Sequence, residues 1–490
     1  MKKLLLILLC VFYDILRKKN LLYRGSLFIY LFTICFSADC QELDYISFKD
    51  SSLTMDQVLS EYIKIESVSG NERLAGEFLK NICKDNDLYI TDMGTDNGNY
   101  NFSASIYPLN LAKPNIIFLN HIDVVPAGDL SKWKEPPYSG KVTEDEIWGR
   151  GAFDNKGAAI MQLFSILEIA KKYKNEKLKY NITFLAVSCE ETQCNGGAKY
   201  VVDNYLNILS PIVVIGEGPP SISGIIQNNS NQSVFGISIA HKRALWIELE
   251  LDIETNGHGS VTPKEYSNKE MIISLNKLFQ KKQKLIFNNL NTRILKDLGV
   301  YEKGIRAFVL KNPYIFKFIL AKQIRKTSEL LALFTNTITL TSFDSHNNVI
   351  NIIPNKVNAL LDCRLLNSQS SKLFVKELKN SLDNEKIKIN IINEMPEMIP
   401  SSVNNIFYLN LKESILQKYP NSCVIPLFTP NFNDTGIFRS KKIAAFSTIP
   451  VKLDMKYLSY IHNYNERIPR NILKEGKEVY VNFIEKSIKE

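Results

Sequence analysis

The sequence predicts an α/β protein: a mostly parallel sheet with helices on both faces, plus an inserted α+β domain. Three observations predict it. Short apolar runs at residues 115–120 (NIIFLN), 180–187 (YNITFLAV) and 211–215 (PIVVI) read as buried strands. Helical spacing over residues 156–172 separates the first two runs, and strand–helix–strand alternation marks a parallel sheet. Near Ala244 the pattern changes: residues 244–253 (ALWIELELDI) alternate apolar and polar, as an antiparallel strand with one wet face does.

Taken in order, residues 4–13 are apolar behind Lys2 and Lys3, residues 14–20 are charged, and residues 26–36 are apolar again before Ser37 and Ala38. Neither apolar run reaches the roughly 20 residues of a spanning helix. Residues 1–38 therefore read as a secretory signal, which predicts a secreted or periplasmic body. An uncleaved N-terminal membrane anchor is the alternative. Residues 55–67 and 71–83 carry helical spacing. After the three strand-like runs come alternating segments at 244–253, 335–341 and 356–366, with residues 269–279 and a long Lys/Leu/Phe-rich stretch to about residue 333 between them. These divide the chain into a first catalytic part at 42–241, a lid domain at 242–366 and a second catalytic part at 367–490.

Composition sets the class. With 490 residues, 45% apolar and 23% charged, the chain is long enough for two or three domains and is neither disordered nor a small disulfide scaffold. The net charge is +9, but the first 40 residues contribute six cations and two acids, leaving +5 for the body. No basic block with interleaved aromatics appears, so nucleic acid is not an expected partner. The eight Cys show no paired CxxC spacing. Cys189 and Cys194 either pair after export or are two ordinary thiols.

The chemistry gathers at strand ends, where ligands bind in open α/β sheets. The first run ends in His121-Ile-Asp123, the second in Cys189-Glu190-Glu191, the third in Gly216-Glu217-Gly218, and a turn carries Gly149-Arg150-Gly151-Ala152-Phe153-Asp154. Singly, each has an ordinary reading as a surface pair, a solvated loop or a turn. Together, several carboxylates and an imidazole on one sheet edge would repel one another unless cations sat among them, which points to a pair of divalent metals. Adjacent strand residues face opposite ways, so Glu190 and Glu191 can share a site only beyond the strand end.

These motifs resemble a known family. His121-Ile-Asp123-Val-Val-Pro-Ala-Gly128 and Trp148-Gly-Arg-Gly-Ala-Phe-Asp154-Asn-Lys-Gly157 are similar to the signature of the aminoacylase/carboxypeptidase family of two-metal metallopeptidases. The carboxypeptidase S branch, which includes secreted N-acyl-amino-acid hydrolases, is the most similar. Later landmarks follow in the family's order: Asn256-Gly-His258-Gly-Ser260, Asn351-Ile-Ile-Pro354, Asp362-Cys-Arg364, Asn433-Asp-Thr435 and Ile461-His462-Asn-Tyr-Asn-Glu466.

The resemblance implies two metals bridged by Asp154, one also held by His121 and Glu217, the other by Glu191 and His462. Nitrogen and oxygen ligation of that kind points to zinc, with manganese or cobalt as alternatives. Asp123 would fix the His121 tautomer. Glu190 would be the general base, taking a proton from the attacking water and passing it to the leaving nitrogen. The lid would mediate homodimerisation, His258 would donate to the oxyanion from the partner subunit, and Arg364 and Asn351 would hold the substrate carboxylate. His241 and His346 match no ligand position. Two departures stand out: Gly436 replaces the family's arginine after Asn433-Asp-Thr, and His241-Lys-Arg replaces a small, Gly-containing turn.

The resulting expectation is a metal-dependent hydrolase. It would cleave the amide of an N-acyl amino acid or the C-terminal bond of a short peptide. A dipeptidase or aminopeptidase of the same family, a non-catalytic scaffold and a Cys189 hydrolase are the alternatives.

Overall fold

The computed structural model describes residues 43–94, 99–345, 347, 349–367 and 369–489. The leader readings within residues 1–38 lie outside the described residues, as does His346. Tyr45–Glu490 forms a compact unit. No helix among the described residues is long and apolar enough to cross a membrane.

In chain order the strands are β1 (Ile46–Phe48), β2 (Ser51–Leu53), β3 (Tyr89–Asp92), β4 (Phe102–Ser105), β5 (Asn115–His121), β6 (Glu146–Trp148), β7 (Asn181–Val187), β8 (Pro211–Gly216), β9 (Val234–His241), β10 (Arg243–Asp252), β11 (Thr337–Asp344), β12 (Lys356–Leu365), β13 (Lys388–Glu394), β14 (Cys423–Thr429), β15 (Ala445–Ser447) and β16 (Arg467–Pro469). The α-helices are α1 (Met55–Lys64), α2 (Arg73–Asp85), α3 (Lys156–Lys172), α4 (Ala198–Leu209), α5 (Ser267–Gln280), α6 (Asn289–Tyr301), α7 (Gly304–Lys311), α8 (Lys317–Ile324), α9 (Ser328–Phe334), α10 (Ser371–Leu382), α11 (Ile406–Lys418), α12 (Thr435–Ser440), α13 (Met455–Leu458) and α14 (Asn471–Lys489).

Eight strands form the main sheet in the order β14-β9-β15-β8-β5-β7-β4-β3. β5 runs parallel to both β7 and β8, and β8 parallel to β15, while β4 and β3 close one edge antiparallel. β5 and β7 are buried along their whole length, which is why they read as continuous apolar runs. Their side chains alternate between two cores. Ile117, Leu119, Leu185 and Val187 pack with Val201 of α4 and Phe438 of α12. On the other face Phe118 meets the rings of Tyr480 and Phe483 of α14 at 5.6 and 6.1 Å. The expected parallel sheet, helical on both faces, is therefore present.

A single residue, Lys242, leads from β9 into the second sheet, ordered β11-β12-β10-β13 and wholly antiparallel. Alternate residues of β10 are buried, matching the one-wet-face pattern of its sequence. Its inner face, with Leu245, Ile247 and Leu249, packs on Met271 and Leu275 of α5 and Phe374 and Leu378 of α10. This layer extends past residue 366: α10 and edge strand β13 belong to it. The short, polar-ended β13 (KINIINE) carries too little apolar pattern to announce its sheet.

Candidate metal centre and active site

The site forms where β5, β7 and β8 end. β5 delivers His121, whose side chain is almost wholly buried. β8 ends at Gly216 and presents Glu217 next in the chain. β7 ends at Val187; Cys189 then takes φ 53°, a left-handed conformation that breaks the extended alternation. That turn brings both Glu190 and Glu191 toward the sheet edge.

Two triads result. His121 Nε2 lies 3.1 Å from Asp154 Oδ1 and 3.1 Å from Glu217 Oε2. His462 Nε2 lies 3.2 Å from Asp154 Oδ2 and 3.2 Å from Glu191 Oε2. Within each triad the ligand atoms lie inside 4.8 Å of one another, and Asp154 offers one oxygen to each. Nitrogen and carboxylate oxygen at this spacing form a donor set that fits two divalent cations sharing a bridging carboxylate. Glu191 Oε1 is buried without a hydrogen-bond partner, a further sign of a missing positive group.

The electrostatics agree. Burial, and then the Asp154 charge, push Glu217 up to about 7. Burial and the nearby Glu217 push Glu190 well above the usual carboxylate range. His121 is raised despite burial, because Glu217, Asp123 and Asp154 surround it. His462 is pushed up to about 10 by hydrogen bonds to Asp154 and Glu191. Without metal the cluster must therefore retain protons to limit its own repulsion.

The remaining predicted residues divide into two groups. Asp123 is buried within the cluster. Its main-chain oxygen lies 2.9 Å from His121 Nδ1, with carboxylate Oδ1 at 3.4 Å. That carboxylate also accepts the Glu190 and Glu191 amides at 3.0 and 3.1 Å and the Ser69 hydroxyl at 2.6 Å. It thus orients the histidine and the Glu-Glu turn together. Glu190's carboxylate accepts no hydrogen bond among the described residues and lines a 10 Å³ gap with Asp434, Glu217 and His121.

The second group stands apart from the cluster. His258 is exposed and accepts from the Ser260 hydroxyl at 2.7 Å. Asn351 is exposed and accepts the Gly259 amide on its main-chain oxygen at 2.8 Å. Arg364 forks onto Asp362, two residues back on β12, at 2.8 and 3.0 Å.

Three features were not assigned from sequence. Glu466 is buried and accepts four donors: the Gly151, Phe153 and Asp154 amides at 3.0, 3.0 and 3.1 Å, and Arg150 Nη1 at 2.8 Å. It ties the turn carrying Asp154 to the segment carrying His462. His462 itself takes φ 57°, a cost of order 1 kcal/mol that neighbouring contacts must hold in place. Asp434 is buried with Oδ2 unpartnered, and burial lifts its carboxyl to about 8. Cys189 and Cys194 are joined as a disulfide, closing the loop that carries Glu190 and Glu191.

The two departures from the family pattern prove to be one contact. His241 is fully buried, and its ring lies edge-on to Phe432 at 4.7 Å. A Cβ at position 436 would fall 2.2 Å from His241 Cε1 and 2.3 Å from Nε2. Only glycine fits there while His241 occupies that space. Arg439, one helical turn on, is buried and donates to the main-chain oxygens of Ala445 and Ser238.

Residues 117–486 match the family model described as peptidase family M20/M25/M40. The chain belongs to this family. It is accordingly a hydrolase of a peptidase family. It is 26% identical to a probable carboxypeptidase S-like protein of Dictyostelium discoideum over 396 residues, covering 80% of this chain and 75% of that one. It is 26% identical to an N-fatty-acyl-amino acid synthase/hydrolase of Mus musculus over 358 residues, covering 72% and 70%. In fold it is similar to an M20 family metallo-carboxypeptidase from Sulfolobus solfataricus, with TM-score 0.64, 24% identity, and coverage of 87% of this chain and 97% of that one.

Proposed function

We propose that this M20-family protein is a two-metal amidohydrolase that cleaves short peptides at the C-terminal bond, or N-acyl amino acids with short polar acyl groups. The observation that carries the reading is the pair of triads sharing Asp154, with the Glu190 carboxylate beside them and unengaged. His121, Glu217 and Asp154 would hold one cation, and Asp154, Glu191 and His462 the other. Zinc is the metal we favour, with manganese and cobalt as alternatives. When bound, the metals supply positive charge that acidifies water and polarises the scissile carbonyl.

The chain's own residues do the rest. Glu190 accepts a proton from the attacking water and delivers it to the leaving amide nitrogen. Asp123 keeps that carboxylate in place by accepting the amides of Glu190 and Glu191. His258, Arg364 and Asn351 are proposed to reach the substrate in a closed dimer: His258 from the partner subunit toward the oxyanion, Arg364 and Asn351 toward the carboxylate. An apolar groove between α5 and edge strand β11, lined by Ile272, Phe279, Leu340 and Phe343, supports pairing of two lids. The Cys189–Cys194 disulfide supports an exported, oxidising location, secreted or periplasmic. An anchored N-terminus is the alternative.

One observation favours polar substrates. A cleft of about 800 Å³ between the two sheets reaches Asp434 and Phe432 at the site, and Lys199, Arg243, Lys372, Glu394 and Lys441 line it. Lys199 and Lys441 pair with Asp203, and Arg243 with Glu394; a long alkyl chain would strip water from these pairs and offer no polar contact in return.

The test is hydrolysis of a panel of dipeptides, short N-acyl and long N-acyl amino acids, with chelator and with added zinc. Chelator-sensitive cleavage, fastest on the polar substrates, is the expected outcome. Faster cleavage of long acyl chains would overturn the polar reading. Cleavage indifferent to chelator would overturn the two-metal reading.

A further inference from the structure

Helices α7 and α8 bury Leu310, Leu320 and Ile324 against Leu295 and Phe334. A helix with its apolar stripe so placed should turn polar residues outward. These do not. Ile305 is 84% exposed, Phe318 81%, Ile315 72%, Phe308 59% and Ile319 56%. Large apolar side chains gathered on one exposed segment mark an interaction surface.

The charge of the same segment is one-sided. Residues 303–326 contain seven Lys/Arg and no Asp or Glu. Arg306 pairs with Glu302, just outside the segment. Lys303, Lys311, Lys317, Lys322 and Lys326 are exposed and enter no ion pair among the described residues. Exposed apolar side chains interspersed with lysines that enter no ion pair, on short surface helices, match an anionic lipid interface, where apolar tips reach the acyl boundary and ammonium groups meet lipid phosphates. A second copy of the chain would bring like charge against like charge, so charge complementarity selects the lipid.

We infer that residues 303–326 dock this protein on the surface of an anionic bilayer. The docking is peripheral and separate from the metal-ligand cluster, and none of its residues belongs to the catalytic set.

The experiment is hydrogen-exchange mass spectrometry on the full chain, with phosphatidylcholine vesicles and with phosphatidylcholine–phosphatidylglycerol vesicles, alongside vesicle flotation. Protection of peptides spanning 303–326 is expected only with the anionic vesicles, and it should weaken with salt. Lys317→Gln and Lys322→Gln should each lower vesicle partition about fivefold. Ile315→Ser with Phe318→Ser should abolish protection while dipeptide cleavage stays unchanged. Protection of the segment that grows with protein concentration in the absence of lipid would show that a second copy covers it, and would overturn the proposal. Vesicle binding with protection only outside 303–326, or no vesicle binding, would overturn it equally.

Discussion

Replacing Glu466 by Gln changes no metal-ligand candidate and no substrate contact, yet it should damage the site severely. Glu466 Oε2 accepts Arg150 Nη1 and the Gly151 amide, while Oε1 accepts the Phe153 and Asp154 amides. A carboxamide offers one acceptor oxygen. Whichever way it turns, its NH₂ group faces two donors, each a lost hydrogen bond of about 1 kcal/mol. Arg150 is 2% exposed and would lose its counter-charge. Breaking a buried pair on one side costs about 3–5 kcal/mol. Arg150 keeps the Asn463 and Pro126 main-chain oxygens, so the lower end applies. The sum is about 5 kcal/mol. For a chain of this size that corresponds to a melting shift of about 5 °C. Because the released turn carries Asp154, metal affinity should fall about 10–100-fold. Calorimetric melting, with metal content measured at buffered free zinc, reads both quantities. Arg150→Met in the Glu466→Gln background should cost less than the two single changes added together, since no charge is then stranded. An unshifted melt with unchanged zinc affinity would refute the anchoring role.

Glu190→Gln should keep fold and metal content while lowering turnover about 10²–10⁴-fold, and near-normal turnover would exclude it as general base. His462→Ala should lose one metal per chain by elemental analysis; retention of both would remove His462 from the ligand set. Gly436→Ala should destabilise the protein by about 1–3 kcal/mol because its Cβ meets His241, and His241→Ala should restore the loss. Equal melts for Gly436→Ala with and without His241 would disprove that coupling. Metal-induced stabilisation should grow with pH. Glu217 has an ordinary value of 4.5 and about 7 in the metal-free fold. Between these values the native chain holds a proton that the unfolded chain has released, so metal-free stability falls as pH rises through that window. Zinc must displace that proton at low pH, so its melting gain at pH 8 should exceed that at pH 5. Equal gains would count against it.

The legible parts of the sequence were those whose pattern reports local environment. β5 and β7 are buried on both faces and therefore wrote unbroken apolar runs. β10 is wet on one side and alternated. His121, Glu190, Glu191 and Glu217 each follow a readable strand, so their meeting at one edge followed from topology. What escaped depends on contacts between distant segments. Glu466 looks like any loop glutamate until the Gly151–Asp154 amides are set against it. Asp434 lies in a motif that was recognisable as a family landmark, but its burial was not. Position 436 read as a lost arginine, and the histidine that takes up the adjacent space lies almost two hundred residues earlier. β13 is a short edge strand whose partner, β10, precedes it by more than a hundred residues.

The tie between Arg150 and Glu466 spans 316 positions of the chain, and it fixes an order of events in the making of the molecule. A ribosome emits His121, Asp154, Glu191 and Glu217 long before it reaches His462. During that interval the carboxylates have neither their second imidazole nor the clamp on the Asp154 turn. Both arrive only when the closing segment returns to β6 through β16, after which α14 covers Phe118 of β5. A nascent or clipped chain that ends before His462 lacks the imidazole of the second triad, so an intact C-terminal segment is a built-in condition for that triad to exist.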